Sequence, residues 1–129
     1  MKYLEAEKIL ALHSEIIDQT GGMHGVRDIH LFLSIVEKPK SRFGGKDLYM
    51  GVFKKAAVYL ESIIQYHVFL DGNKRTSAVS AARFLFINGY DMIATNKELE
   101  EFVLKVAVDK LDLEVIADWL KKHSKKIKS

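Results

Sequence analysis

Apolar residues recur along most of this chain at the three- and four-residue spacing of helices that bury one face. Residues 4–19 carry them at Ile9, Leu10, Leu12, Ile16 and Ile17, and Gly21-Gly22 closes that run. Asp28 is placed as an N-cap for a second helix over 28–37, with Pro39 just past its end. Residues 53–66 contain neither Gly nor Pro and read as a third helix. Residues 74–88 alternate small and large apolar side chains at helical spacing and stop at Asn88-Gly89. Thr95 and Glu98 have the spacing of a capping box and open a helix reaching about Val108. Asp112 is placed to cap residues 113–123, where Leu113, Ile116, Ala117 and Leu120 share one face. The pattern predicts an all-α fold, a compact bundle of about six helices without internal repeats. Residues 38–51 are polar and Gly-containing, long for a connection, with room for a short hairpin at 40–50.

Composition narrows the setting. At 129 residues and 48% hydrophobic content one core is expected, so the whole chain, 1–129, reads as a single domain. The absence of cysteine excludes a disulfide framework and a thiolate metal site. No stretch is long and apolar enough to span a membrane, and residues 1–12 carry Glu5 and Glu7 rather than a basic-then-apolar leader. A cytoplasmic protein without membrane association is the expectation. The net charge of +3 is concentrated in the tail, at Lys121, Lys122, Lys125, Lys126 and Lys128.

The most informative segment is His67-Val68-Phe69-Leu70-Asp71-Gly72-Asn73-Lys74-Arg75-Thr76-Ser77, a loop between the third and fourth predicted helices that ends on the start of the fourth. Free backbone N–H groups and the positive end of the helix dipole make such a start an anion site. His67 supplies a side chain able to accept a proton near neutral pH. Asp71 offers hard oxygen ligands suited to Mg²⁺. Gly72 admits close approach of a phosphate. The amide of Asn73 can donate to a phosphate oxygen, Lys74 adds a point charge, and Arg75 adds a fork that grips two oxygens. Two cations at a helix N-terminus oppose the dipole, which fits an expected anion. Each residue alone has an ordinary explanation: a histidine ending a helix, an Asp-Gly turn, a solvated Lys-Arg pair. Their order and spacing point to phosphate chemistry, while Phe69 is expected to plug the core and hold the loop.

The string HVFLDGNKR resembles the signature of the Doc (death-on-curing) toxins, a branch of the Fic family, whose pattern is His-x-Phe-x-Asp/Asn-Gly/Ala-Asn-Lys-Arg. Gly21-Gly22, Gly25-Val26-Arg27-Asp28, the segment ending at Pro39, Phe43-Gly44-Gly45, Lys55-Ala56-Ala57, Asn88-Gly89-Tyr90 and Trp119-Leu120 also fall in the family's order, so the resemblance covers nearly the whole chain. It implies a Fic-type helical bundle that transfers part of a nucleotide to a protein hydroxyl. Fic enzymes that transfer AMP carry His-Pro-Phe-x-Asp/Glu-Gly-Asn-Gly-Arg-x-x-Arg; this chain has Val68, Lys74 and Ala78 at the Pro, second Gly and final Arg. Lys74 places a long cation where a nucleotide's phosphates would lie, and Ala78 removes a phosphate clamp. These departures favour the Doc branch over AMP transfer, the alternative. The resemblance then implies a protein kinase that moves the γ-phosphate of ATP to a Thr/Ser hydroxyl of elongation factor Tu and halts translation. It assigns His67 as the base, Asp71 as the Mg²⁺ ligand, and Gly72, Asn73, Lys74 and Arg75 as phosphate ligands.

The same resemblance implies that 38–51 is a flap aligning the target by strand pairing, with Arg42, Phe43 and Tyr49 as target contacts. The opposing expectation is a plain surface loop with Phe43 tucked against the body. A cognate antitoxin that inserts a helix into a groove is implied too, since no Ser/Thr-x-x-x-Glu-Gly-Asn helix is present to restrain the enzyme in cis. Arg27-Asp28 reads as a helix-start salt bridge rather than a substrate contact. His13, His24, His30 and His123 lack metal spacing and are assigned no role. Two rivals stand from other classes: a nucleic-acid-binding module using the lysine tail, and a regulatory module that no longer catalyses. Against the first, the tail has no interleaved aromatic beyond Trp119, expected to anchor the last helix, and lysines suit a helix C-terminus. Intact His67, Asp71 and Asn73 weigh against the second.

Overall fold

The computed structural model describes residues 1–128. Six α-helices run in the order α1 Ala6–Thr20, α2 Ile29–Glu37, α3 Val52–Tyr66, α4 Asn73–Ile87, α5 Asn96–Asp109 and α6 Leu113–Lys122. A single 3-10 turn, Lys38–Lys40, follows α2, and two small antiparallel pairs are added: β1 Arg42–Phe43 with β2 Lys46–Asp47, and β3 Tyr90–Met92 with β4 Ser124–Lys126. The predicted all-α bundle therefore forms, every helix ending within two residues of its predicted bounds.

The centre is α3. Ala56, Ala57, Val58, Tyr59, Leu60, Ile63 and Ile64 are all buried, so this helix is covered nearly all round. It packs most extensively on α4 and then on α6. Both helices bury small residues, Ala56 and Ala57 on α3 and Ser77, Ala78, Ser80 and Ala81 on α4, which suits close packing. Tyr59 reaches the N-terminal segment, its hydroxyl accepting from the Leu4 N–H at 3.2 Å, and burial pushes its pKa up to about 12. Asn88, read as a helix stop, also ties down that segment: its Oδ1 accepts from the Lys2 N–H at 2.9 Å and its Nδ2 donates to the Lys2 carbonyl at 2.8 Å.

The caps follow the sequence with one exception. Asp28 accepts from the Leu31 N–H at 3.1 Å. Thr95 and Glu98 form the full capping box, and the Thr95 donors hold the Glu98 carboxyl below its ordinary range. Asp112 occupies the N-cap position of α6, but its side chain makes no capping hydrogen bond. The unforeseen element is the β3–β4 pair, which takes part of the basic tail into a ladder with Asp91 opposite Lys125. Three-residue strands beside a lysine run leave no alternation to read. Trp119 does anchor the last helix, stacked at 4.0 Å on Phe102.

The expected hairpin is present at 42–47. Gly44 and Gly45, with φ of +58° and +79°, make a two-residue turn that needs two left-handed positions. Phe43 is 83% exposed, so it is not tucked against the body. The hairpin is fastened instead through Lys55 of α3, 1% exposed, whose ammonium donates to the Pro39 carbonyl at 3.0 Å and pairs with Asp47 at 3.2 Å. Among the described residues no helix is long and apolar enough to cross a membrane.

Candidate active site

The motif loop begins where α3 ends. His67 takes the left-handed conformation, φ 47° and ψ 51°, that closes a helix and that a non-glycine residue adopts at a cost of about 1–2 kcal/mol. Arg27 holds it there. Its Nε donates to the His67 carbonyl at 2.8 Å and its Nη2 to the Tyr66 carbonyl at 2.7 Å, so a cation caps the negative end of α3. Residues 25–27 then run beside 68–70 like a short strand: the Arg27 N–H donates to the Val68 carbonyl at 2.8 Å, and the Leu70 N–H donates to the Gly25 carbonyl at 3.1 Å. Arg27 thus belongs to the loop's frame, and the expected helix-start pairing with Asp28 does not form: Asp28 caps α2 instead.

Below the loop, Val68 and Phe69 are buried. Phe69 stacks on the His13 imidazole at 3.9 Å and 8°, and leans on Phe32 at 5.6 Å. It fills the core as its sequence position predicts. Asn73 has a structural role that its sequence position did not suggest. Its Oδ1 accepts from the Phe69 N–H at 2.9 Å and its Nδ2 donates to the Phe69 carbonyl at 3.0 Å. The side chain therefore mimics a strand partner and braces the loop, and its second Nδ2 hydrogen is not used in these bonds.

Above this floor lies a cleft of about 500 Å³, lined by His67, Asp71, Gly72, Asn73, Lys74 and Arg75, with Gly21-Gly22 and Ala107 in its walls. Gly72 caps α4 with φ +79°, and a Cβ there would lie 3.0 Å from Ile17 Cδ1, so both conformation and space call for glycine. The first bond of α4 runs from the Thr76 N–H to the Gly72 carbonyl at 2.9 Å, and no side chain caps the helix. The N–H groups of Asn73, Lys74 and Arg75 are thus without helical partners beside the cleft. Among the described residues Lys74 makes no ion pair, and Arg75 is only 3.9 Å from the exposed Glu100, a contact that water and salt screen heavily. Both cations are free to turn to an anion.

Asp71 is fixed by its neighbours. Its Oδ2 accepts from the Met23 N–H at 2.7 Å, and a Cβ on Gly22 would lie 3.1 Å from Asp71 Cβ. The other carboxylate oxygen has no protein partner among the described residues. Those residues include no group of three or more His, Cys, Asp or Glu side chains able to cage a metal. A lone carboxylate beside an anion site nevertheless fits Mg²⁺, which keeps its waters and shares itself between one or two carboxylates and phosphate oxygens.

The motif residues thus converge, whereas the three residues expected to meet a target lie outside the cleft. Arg42 is turned onto its own hairpin, donating to the Gly45 carbonyl with Asp47 at 3.6 Å. Phe43 stands in solvent and Tyr49 is half-buried beyond β2. Next to the cleft, sharing Thr20, Lys74 and Arg75 with it, runs a more apolar groove of about 490 Å³ between α1, α4 and α5, with Ile16, Ala78 and Leu104 in its lining. Sequence reasoning missed His13, Arg27 and the Met23 N–H. A histidine one helix away and a backbone amide leave no spacing pattern to find.

The sequence model described as the Fic/DOC family matches residues 3–85. The chain is 36% identical over 118 residues to "Toxin Doc" of Mycolicibacterium smegmatis, an alignment covering 90% of this chain and 88% of that protein. It is 29% identical over 122 residues to "Protein kinase doc" of Escherichia phage P1, covering 95% of each.

Proposed function

The chain belongs to the Fic/DOC family, and from that premise we propose that it is the toxin of a toxin–antitoxin module. In this reading it is a protein kinase that transfers the γ-phosphate of ATP to a Thr/Ser hydroxyl of elongation factor Tu in the cytoplasm, halting translation. The observation that carries the proposal is the cleft, where a histidine, a carboxylate, an unpaired lysine, an arginine held only by a long exposed ion pair and three unpartnered amides surround one volume. The names of the two relatives, one a toxin and one a protein kinase, support it.

Phosphoryl transfer asks a protein for positioning and charge stabilisation more than for covalent chemistry. His67 takes the proton of the target hydroxyl as its oxygen bonds to the γ-phosphorus. The bond from that phosphorus to the β-bridging oxygen breaks, and ADP leaves with the electron pair. Lys74, Arg75 and the first amides of α4 hold the phosphate oxygens and oppose the charge that builds on them. Asp71, through its unpartnered oxygen, would hold Mg²⁺, which would supply positive charge against the phosphates. Lys74 on the cleft and a buried Ala78 in place of a second arginine disfavour AMP transfer. The exposed hairpin, with Phe43 at its end, is where an extended segment of the target would be aligned. The adjoining apolar groove suits an antitoxin helix, whose apolar face would cover it and shut off Lys74 and Arg75.

Expression of the chain alone in a bacterium should stop protein synthesis and growth within a generation, and His67→Ala should restore both. Arrest by the alanine variant at equal protein level would overturn a catalytic toxin.

A further inference from the structure

One buried titratable group stands against the loop without a part in the chemistry above: His13 of α1, only 3% exposed. Its Nε2 lies 2.8 Å from the Asp71 carbonyl oxygen. A carbonyl can only accept, so the proton is on Nε2 and the imidazole donates. The ring also lies flat on Phe69 at 3.9 Å and passes 3.7 Å from where a Gly72 Cβ would be, which fixes its position from two further sides.

We propose that His13 is the positioning residue that aims the Gly72 N–H into the cleft as a phosphate donor. A trans peptide is planar and carries its C=O and N–H on opposite edges, and no cis peptide bond occurs among the described residues. Pinning the Asp71 carbonyl inward against α1 therefore turns the Gly72 N–H of the same peptide outward. That N–H has no protein partner among the described residues, and Gly72 lines the cleft. With the three free amides of α4 it completes a run of four consecutive N–H groups around one anion. Without the pin the glycine on one side of this peptide allows the plane to rotate, and the donor is lost while the helix stays. His13 touches neither phosphate nor target and acts through the peptide alone. The inference rests on the cleft being a phosphate site.

The test follows the Gly72 amide by nitrogen-15 NMR as Mg-ADP is added. In the wild type this resonance should move on binding, and the His13 ring should show its proton on Nε2. His13→Phe keeps the stack on Phe69 but removes the donor. It should weaken Mg-ADP by about tenfold and flatten the Gly72 response, leaving the other α4 amides responsive. His13→Gln, which restores a donor, should recover part of both. A proton on Nδ1 in the wild type would overturn the inference without any variant. So would an unchanged Gly72 response in His13→Phe, or loss of all α4 responses together. A wild type whose amides ignore both Mg-ADP and inorganic phosphate would remove the phosphate reading itself, and this inference with it.

Discussion

Replacing His67 with Ala lowers the rate of phosphate transfer by about 10²–10⁴-fold, the range a positioned general base contributes. The imidazole is exposed, so its removal opens no cavity in the core. The backbone of residue 67 stays in the left-handed region because Arg27 still grips the carbonyls of residues 66 and 67. Stability should therefore change by less than about 0.5 kcal/mol, as for an ordinary surface substitution. His67→Gly is the matching control. It relieves the backbone cost and still lacks the base, so it should be at least as stable as His67→Ala and equally inactive. Initial rates at saturating ATP, with urea midpoints for the same samples, check both halves. A rate within tenfold of the wild type would show that another group takes the proton.

Phe69→Ala has the largest expected effect on stability, a loss of about 3–5 kcal/mol. The ring is 1% exposed and fills the space between His13 and Phe32. Its removal leaves a void that α1 and α2 close only in part. Against a total of about 5–15 kcal/mol for a domain of this kind, that is a large fraction. The same substitution should also weaken catalysis in the molecules that remain folded. The Asn73 side chain braces the backbone of residue 69, and the ring steadies the imidazole that holds Asp71. Urea unfolding gives the first quantity, and transfer rates corrected for the folded fraction give the second. A destabilisation under about 1 kcal/mol would mean that the loop does not depend on this plug.

What could be read in the sequence was whatever depends on local order. Apolar spacing, Asp28, the Thr95–Glu98 box and the Gly21-Gly22 and Asn88-Gly89 stops gave the helices because each acts within a turn or two of chain. The cleft's residues were legible because they sit together in one loop at the start of a helix. What stayed hidden acts across the fold. Arg27 grips carbonyls 39 and 40 residues away, and His13 donates to a carbonyl 58 residues away. Neither separation carries a period. Asn73 shows the complementary case. Its amide is chemically suited to an anion, and only the fold reveals that its oxygen and one of its two Nδ2 hydrogens also serve the Phe69 backbone. The hairpin was legible from its glycines, but its latch, a buried Lys55 between Pro39 and Asp47, required the position of α3.

In the proposed reading this loop moves the terminal phosphate of ATP onto a protein. The most direct test supplies the chain and Mg²⁺ with ATP labelled at either the α or the γ phosphate, in a bacterial translation extract. The expected result is γ label on one protein band of the size of elongation factor Tu, absent with His67→Ala, and no α label. Label from the α phosphate would mean AMP transfer in spite of Lys74 and Ala78 and would contradict the kinase assignment.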